Sequence, residues 1–166
     1  VAAGLMEAQY FGVAQRRPRV FFIGSKTNKP TLPRPTSRPT MAGDALVGVT
    51  PGPTPTMAPC DRLFAKHGRP GEQGSDLLTR LGRKPNWFGH VMLCPRKVSP
   101  TITKRSSGFL HWNRRLLAVN ERLVLTGFPR DYILPGSFTE QCARIGNSVA
   151  PPMTEAIART LMGLDR

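Results

Sequence analysis

Apolar residues cluster unevenly along this chain. The first 25 residues are dense in them and end in RVFFIGS, where Val20, Phe21, Phe22 and Ile23 run together until Gly24. A short apolar run without alternation, closed by glycine, predicts a strand covered on both faces of a sheet. Such a strand needs neighbours, and the chain offers few others like it, so the sheet is expected to be completed elsewhere. Residues 26–59 break the pattern. Prolines stand at 30, 33, 35, 39, 51, 53, 55 and 59 among Thr, Lys and Arg. Proline lacks the N–H and forbids helix interiors, so this segment is predicted irregular and partly extended. It suits either a disordered linker or a loop-rich surface that meets a partner.

Residues 60–98 are polar and basic, with apolar pieces at Leu77–Leu78, Trp87–Phe88 and Val91–Leu93. SDLLTRLG predicts a short helix with Ser75 as its cap and Gly82 as its stop. Order returns over residues 99–166. SPTIT, Ser99–Thr103, suits an extended edge segment. AVNERLVLTGFP predicts a helix with Leu123 and Val124 inward, closed by Gly127 and Pro129. PPMTEAIARTLMGL is the clearest helix, with Met153, Ile157, Leu161 and Leu164 on one apolar stripe. Directly before it, Gly146, Asn147 and Ser148 form a small, turn-prone group. A helix start of this kind exposes backbone N–H groups and the positive end of a dipole, which suits an anion. An ordinary capped helix without ligand fits the same letters. No fixed-period repeat is visible.

Composition narrows the class. The 166 residues suffice for one domain or two small ones. Lys and Arg number 24 against ten Asp and Glu, giving a net charge of +14. That excess favours a polyanionic partner, although a generally basic soluble surface gives the same count. Candidate phosphate contacts are Arg16, Arg34, Arg38, Arg83, Lys84, Lys104 and Arg105. The three cysteines, Cys60, Cys94 and Cys142, are scattered and form no C-x-x-C. His90 and Cys94 are four apart, but two ligands do not make a metal site, so no metal is expected. The cysteines are read as reduced thiols of a cytoplasmic protein. No apolar run approaches the roughly 18–20 residues of a membrane span. The opening VAAGLMEAQYFGV carries Glu7 and no basic start, unlike a signal peptide. A start at Val hints at missing upstream sequence or at an unusual start.

Three stretches together resemble one family. YFGVAQRRPRVFFIG, Tyr10–Gly24, is similar to the Gln-x-Arg-x-Arg motif of DNA (cytosine-5-)-methyltransferases. NERLVLTGFPRDY, Asn120–Tyr132, resembles that family's penultimate motif, and RIGNSVAPPMTEAIARTL, Arg144–Leu161, resembles its last. Their order and spacing match, with the family's variable target-recognition region between the first two. The resemblance implies an α/β fold: the C-terminal part of a Rossmann-like methyltransferase sheet plus an irregular, loop-rich target-recognition domain. It divides the chain into 1–25, the end of the catalytic domain; 26–142, target recognition including the penultimate motif; and 143–166, a closing helix returning to the catalytic domain. Ala14 replaces the family's usual Pro, Ala118 its capping Thr, and Asn120 its Arg. The family's cofactor-binding Gly-rich loop, Pro-Cys-Gln nucleophile and Glu-Asn-Val motif do not occur in this sequence. Pro59–Cys60–Asp61 imitates the nucleophile by two letters, but it lies on the wrong side of the first motif and is read as chance. The chain is therefore expected to be a C-terminal fragment or subunit of a prokaryotic or phage restriction-modification enzyme, inactive alone and partnered by an N-terminal methyltransferase half and double-stranded DNA.

The resemblance also implies chemistry. A Cys thiolate adds to carbon 6 of a flipped cytosine, and carbon 5 takes a methyl group from S-adenosylmethionine. Arg19 would hydrogen-bond the cytosine carbonyl, where negative charge builds as the thiolate adds. Arg17, on the same face, would brace the catalytic loop or meet phosphate, and Gln15 would orient the neighbouring loop. Arg16, Arg17 and Arg19 also suit a solvated basic cluster. Ser148 would offer its hydroxyl to the cofactor carboxylate, Asn147 would shape the loop, and Gly146 would permit a backbone angle that a side chain hinders. Residues 26–98 would read the target through the major groove. Two other classes stay open: a non-catalytic sequence-specific DNA-binding module derived from such an enzyme, and a basic RNA-associated protein, for which two Trp and two Tyr give few stacking platforms.

Overall fold

The computed structural model describes residues 1–26 and 29–164. Thr27, Asn28, Asp165 and Arg166, which fall in the segments 26–142 and 143–166 expected above, lie outside it. The chain opens with a hairpin of β1 (Ala2–Glu7) and β2 (Pro18–Ile23), joined through a 3-10 turn at Ala8–Phe11. Helices α1 (Ala42–Ala45), α2 (Pro59–His67) and α3 (Gly74–Arg80) follow. Short strands β3 (Val91–Met92), β4 (Phe109–His111) and β5 (Arg115–Leu116) come next, then α4 (Val119–Leu125), α5 (Phe138–Asn147) and α6 (Pro151–Leu161).

The hairpin is antiparallel, pairing Ala2 with Ile23 and Glu7 with Pro18. Alternation then sorts the side chains into two faces. Met6, Phe21 and Ile23 point one way, and Met6 and Phe21 pack with Phe11, Val13, Met153 and Ala156 in one apolar cluster. Leu5, Val20 and Phe22 point the other way and are bare, Val20 at 60% and Phe22 at 76% exposure. The run Val20–Ile23 is thus covered on one face, not two. Its sheet has only two strands, and no described residue lies over the outer face.

The proline-rich segment is an ordered surface. Leu32 joins the hairpin cluster, and the N–H groups of Thr36 and Ser37 both donate to the Tyr10 carbonyl, at 2.9 and 3.1 Å. Ala42 and Leu46 reach the main core, where they meet Ala14, Leu93, Ile102, Leu117, Leu125 and Ile145. A second sheet runs β3-β4-β5, parallel between β3 and β4 and antiparallel between β4 and β5. Under it, Phe64 of α2 and Leu77 of α3 pack with Met92 and Leu110. Helix α2 had no expectation in the sequence, despite a proline in its first turn and Lys66 and His67 in its last. Helix α3 begins one residue before Ser75. Its cap is Gln73, and Ser75 instead sits inside, its carbonyl accepting from the Thr79 hydroxyl at 3.0 Å.

Helix α4 buries Leu123 and Leu125, leaving Val124 only half-buried. Leu125 takes the inward place expected of Val124, because the helix is rotated to bury Arg122 as well. Ala118 offers no capping oxygen. The Glu121 carboxylate accepts from the Ala118 N–H at 2.8 Å and binds both Arg115 terminal nitrogens, at 2.6 and 2.7 Å. Arg122 is wholly buried. Its guanidinium donates to the carbonyls of Leu117 at 3.2 Å, Arg105 at 2.7 Å and Ser106 at 3.1 Å, and lies against the rings of Phe109 and Phe138. A buried cation persists only when its N–H groups are met in this way. Desolvation pushes its pKa down.

In α6 the stripe is shorter than the spacing predicts. Met153 and Ala156 are buried and Ile157 packs beside them, but Leu161 and Leu164 are exposed, having no apolar surface of the described chain to meet. Arg122→Met keeps much of the volume and orphans three carbonyls. It is expected to lower the unfolding free energy by about 2–4 kcal/mol, measured from urea midpoints.

Candidate functional site

Arg17 stands just before β2 and is 1% exposed. One terminal nitrogen donates to the Ile102 carbonyl at 3.0 Å and the Gln15 Oε1 at 3.3 Å. The other donates to the carbonyls of Gly146 at 2.6 Å and Ser148 at 2.7 Å. Its own backbone N–H donates to the Glu7 carboxylate at 2.5 Å. One guanidinium therefore ties the first motif to the segment after Ser99 and to the junction of α5 and α6. Burial, and secondarily the charge of Arg19, pushes its pKa down to about 10. Arg17 is a brace between these segments, with its terminal N–H groups engaged in the interior.

Gln15 extends the brace. Its Oε1 accepts from the Ile102 N–H at 3.0 Å, and its Nε2 donates to the Thr126 hydroxyl at 3.1 Å, which donates onward to the Arg122 carbonyl at 2.8 Å. The loop beside Gln15 is thus SPTIT. That segment makes a single parallel bridge, Ser99 to Gln15, and then buries Ile102, so it is an irregular flank and not an edge strand. The Ser99 N–H donates to the Ala14 carbonyl at 3.1 Å and the Arg16 N–H to the Ser99 carbonyl at 2.8 Å. Arg16 itself is exposed.

Arg19 has a different setting. It lies opposite Met6 in the hairpin and is partly exposed, and its guanidinium donates to the Pro18 carbonyl at 2.7 Å. It stands outside the hydrogen-bond network that joins Gln15, Arg17, Gly146 and Ser148, close enough to Arg17 to lower its pKa.

The Gly146–Ser148 group is not a free turn. Gly146 and Asn147 close α5, and Ser148 caps its C-terminus. Gly146 has no left-handed backbone angle. It is needed for close approach: a Cβ there would lie 2.1 Å from the Lys104 nitrogen and 2.4 Å from the Lys104 Cα. The Ser148 N–H and hydroxyl both donate to the Ile145 carbonyl, at 3.2 and 2.8 Å, so the hydroxyl proton is engaged at the helix end. The start of α6 is poorer in donors than its letters suggest. Prolines hold its first two positions, and the Met153 N–H meets the Ala150 carbonyl at 3.0 Å. What faces outward is Asn147, exposed and without a side-chain hydrogen bond among the described residues, and Val149, whose N–H makes no backbone bond among them.

Arg34, Arg38, Arg83, Lys84, Lys104 and Arg105 are all exposed. Lys104 and Arg105 are held beside the brace, one through its backbone against Gly146, the other through its carbonyl on Arg122. Arg34 instead lines a cleft of about 600 Å³ between the proline-rich segment and α6, with Arg159. Arg83 and Lys84 follow α3 and share no hydrogen bond with the brace among the described residues. Sequence reasoning passed over Arg122 and Thr126. An arginine inside the apolar run ERLVLTGF was the available sign of the first.

A family model for C-5 cytosine-specific DNA methylases matches residues 55–163. The chain belongs to that family. It is 27% identical over 177 residues to the type II methyltransferase M1.ScrFI of Lactococcus lactis subsp. cremoris, an alignment covering 98% of this chain and 43% of the relative. With M.SsoII of Shigella sonnei it shares 29% over 168 residues, covering 95% and 43%. With M.NgoMIV of Neisseria gonorrhoeae it shares 29% over 171 residues, covering 95% and 52%. The chain thus spans about half, or less, of these curated relatives. A crystal structure described as a DNA modification methyltransferase encoded within an E. coli prophage superposes with a TM-score of 0.62 at 18% identity, covering 98% of this chain and 59% of that one. That likeness is one of mixed α/β fold, consistent with a Rossmann-like frame. Among the described residues no helix is long and apolar enough to cross a membrane.

Two substitutions test the brace. Gly146→Ala forces backbone against backbone and is expected to cost at least about 2 kcal/mol of stability. Arg17→Lys keeps the charge but loses the fork that reaches several acceptors at once, and should cost about 2–3 kcal/mol. Chemical denaturation reads both.

Proposed function

We propose that this chain supplies target recognition and part of the cytosine and cofactor pockets of a DNA cytosine-5 methyltransferase, and that it methylates only with an N-terminal half that carries the nucleophile. The observation that carries this reading is the Arg17 brace, which fastens the first family motif to the last through the carbonyls of Gly146 and Ser148. Residues at opposite ends of the chain are thereby held as one surface. Arg19 sits at its rim, and its guanidinium donates to the neighbouring Pro18 carbonyl. A cation fixed there stabilises charge on a cytosine carbonyl more as it develops than before.

S-adenosylmethionine, the methyl donor of the family, would supply an electrophilic methyl group. Asn147 and the Val149 N–H would meet its carboxylate, in place of the Ser148 hydroxyl proton. Lys104 and Arg105, held on the brace, and Arg16, Arg34, Arg38, Arg83 and Lys84 provide positive charge for duplex DNA, whose phosphates make binding salt-dependent. The bare face of Leu5, Val20 and Phe22 supports a partner half, since an apolar sheet face of this kind is normally covered.

The test mixes this chain with a matching N-terminal half, labelled S-adenosylmethionine and duplex DNA. Methyl transfer is expected from the mixture and not from either part. Arg19→Ala should reduce the rate about 10²–10³-fold without changing the salt dependence of duplex binding. Phe22→Glu should prevent the halves from associating. No gain over the N-terminal half alone would overturn the reading, and duplex binding indifferent to both partner and cofactor would point to a binding module instead.

A further inference from the structure

Helix α2 and the start of β3 bring together three side chains that methyl transfer leaves without a task. Cys60 and Asp61 lie in the first turn of α2, and His90 immediately precedes β3. One ligand atom from each falls within 4.8 Å of the others. Sequence spacing pointed to His90 and Cys94 and expected no metal. The fold gives His90 different neighbours.

The His90 side chain is 12% exposed, and both its ring nitrogens are buried without a hydrogen-bond partner. An imidazole always carries at least one N–H, so leaving both nitrogens dry and unpaired is costly. Nε2 is 3.6 Å from the Asp61 Oδ1. That is long for a hydrogen bond. It is close to the separation of two ligands on one tetrahedral ion with bonds near 2.0–2.2 Å, about 3.3–3.6 Å. Asp61 is 1% exposed, and its Oδ1 accepts from the Gly108 N–H at 2.9 Å, which fixes the carboxylate.

The ring of His90 is also fixed. It lies 5.2 Å from the Trp87 ring and edge-on to Phe64 at 6.3 Å, centroid to centroid. Beneath it stands Gly74, where a Cβ would come within 2.7 Å of the His90 Cβ, so glycine lets the two segments close up. Cys60 is half-buried, which leaves an approach from solvent.

We propose that Cys60, Asp61 and His90 bind one zinc ion, with water in the fourth position. A thiolate, a carboxylate and a neutral imidazole form the mixed donor set that suits Zn²⁺. The charges balance: one dication meets two anions, and the Cys60 thiol releases its proton to solvent as the Zn–S bond forms. The ion clamps α2 to the segment that enters β3, and Asp61 in turn holds the Gly108 N–H where the chain enters β4. The carbonyls just before it, of Arg105 and Ser106, are those held by Arg122. Zinc here steadies the recognition region and takes no part in methyl transfer.

Cobalt reports this directly. Titrating the purified wild-type protein with Co²⁺ is expected to raise a thiolate-to-cobalt charge-transfer band in the near ultraviolet that saturates at one equivalent and is displaced by Zn²⁺. Cys60→Ser should abolish the band, and Cys94→Ser should leave it. His90→Gln should weaken Zn²⁺ affinity by at least about tenfold. Zn²⁺ should raise the thermal midpoint of the wild type and not of Cys60→Ser. Absence of the band in the wild type, or its persistence in Cys60→Ser, overturns the site.

Discussion

A guanidinium without a carboxylate on its terminal nitrogens organises this molecule. Arg17 is buried, and what its two ends meet are carbonyl oxygens and one amide oxygen. Carbonyl dipoles replace water imperfectly, so burial, with the nearby charge of Arg19, lowers the pKa of Arg17. The cost is accepted because the acceptors come from three separate parts of the chain. A cation meeting water alone would leave each of those segments free. Gln15 then passes the constraint to Thr126 and the end of α4.

Arg122 repeats the device in α4, with three carbonyls and two aromatic rings around it. The basic composition is therefore partly an interior property. Part of the +14 charge lies inside as structural fastening, and the remainder is presented outward. A net charge alone does not separate these uses, because burial depends on partners that the fold delivers.

The sequence showed where order lies and which motifs border it. β2, α3, α4 and α6 follow from local rules, namely an apolar run, glycine stops and a proline-led helix. What it concealed is contact between distant segments. Val20–Ile23 reads as doubly buried because periodicity reports apolarity and not what covers it. Ser148 reads as a free hydroxyl because the end of α5 at Asn147 is invisible beside the stronger start of α6. Gly146 was recognised as necessary for the wrong reason: the backbone of Lys104 lies against it, and no local pattern announces an approach of that kind. At the candidate site, the residue types of the first motif were legible, but the division between a buried Arg17 and a partly exposed Arg19 depended on where the strand begins.

Arg17 holds the backbone oxygens of Ile102, Gly146 and Ser148, and Arg122 those of Arg105, Ser106 and Leu117, and backbone oxygens are the same whatever side chain follows them. The side chains of Lys104 and Arg105 can therefore change without loosening the anchors beneath. A surface fastened this way is free to vary in its side chains while its scaffold stays fixed.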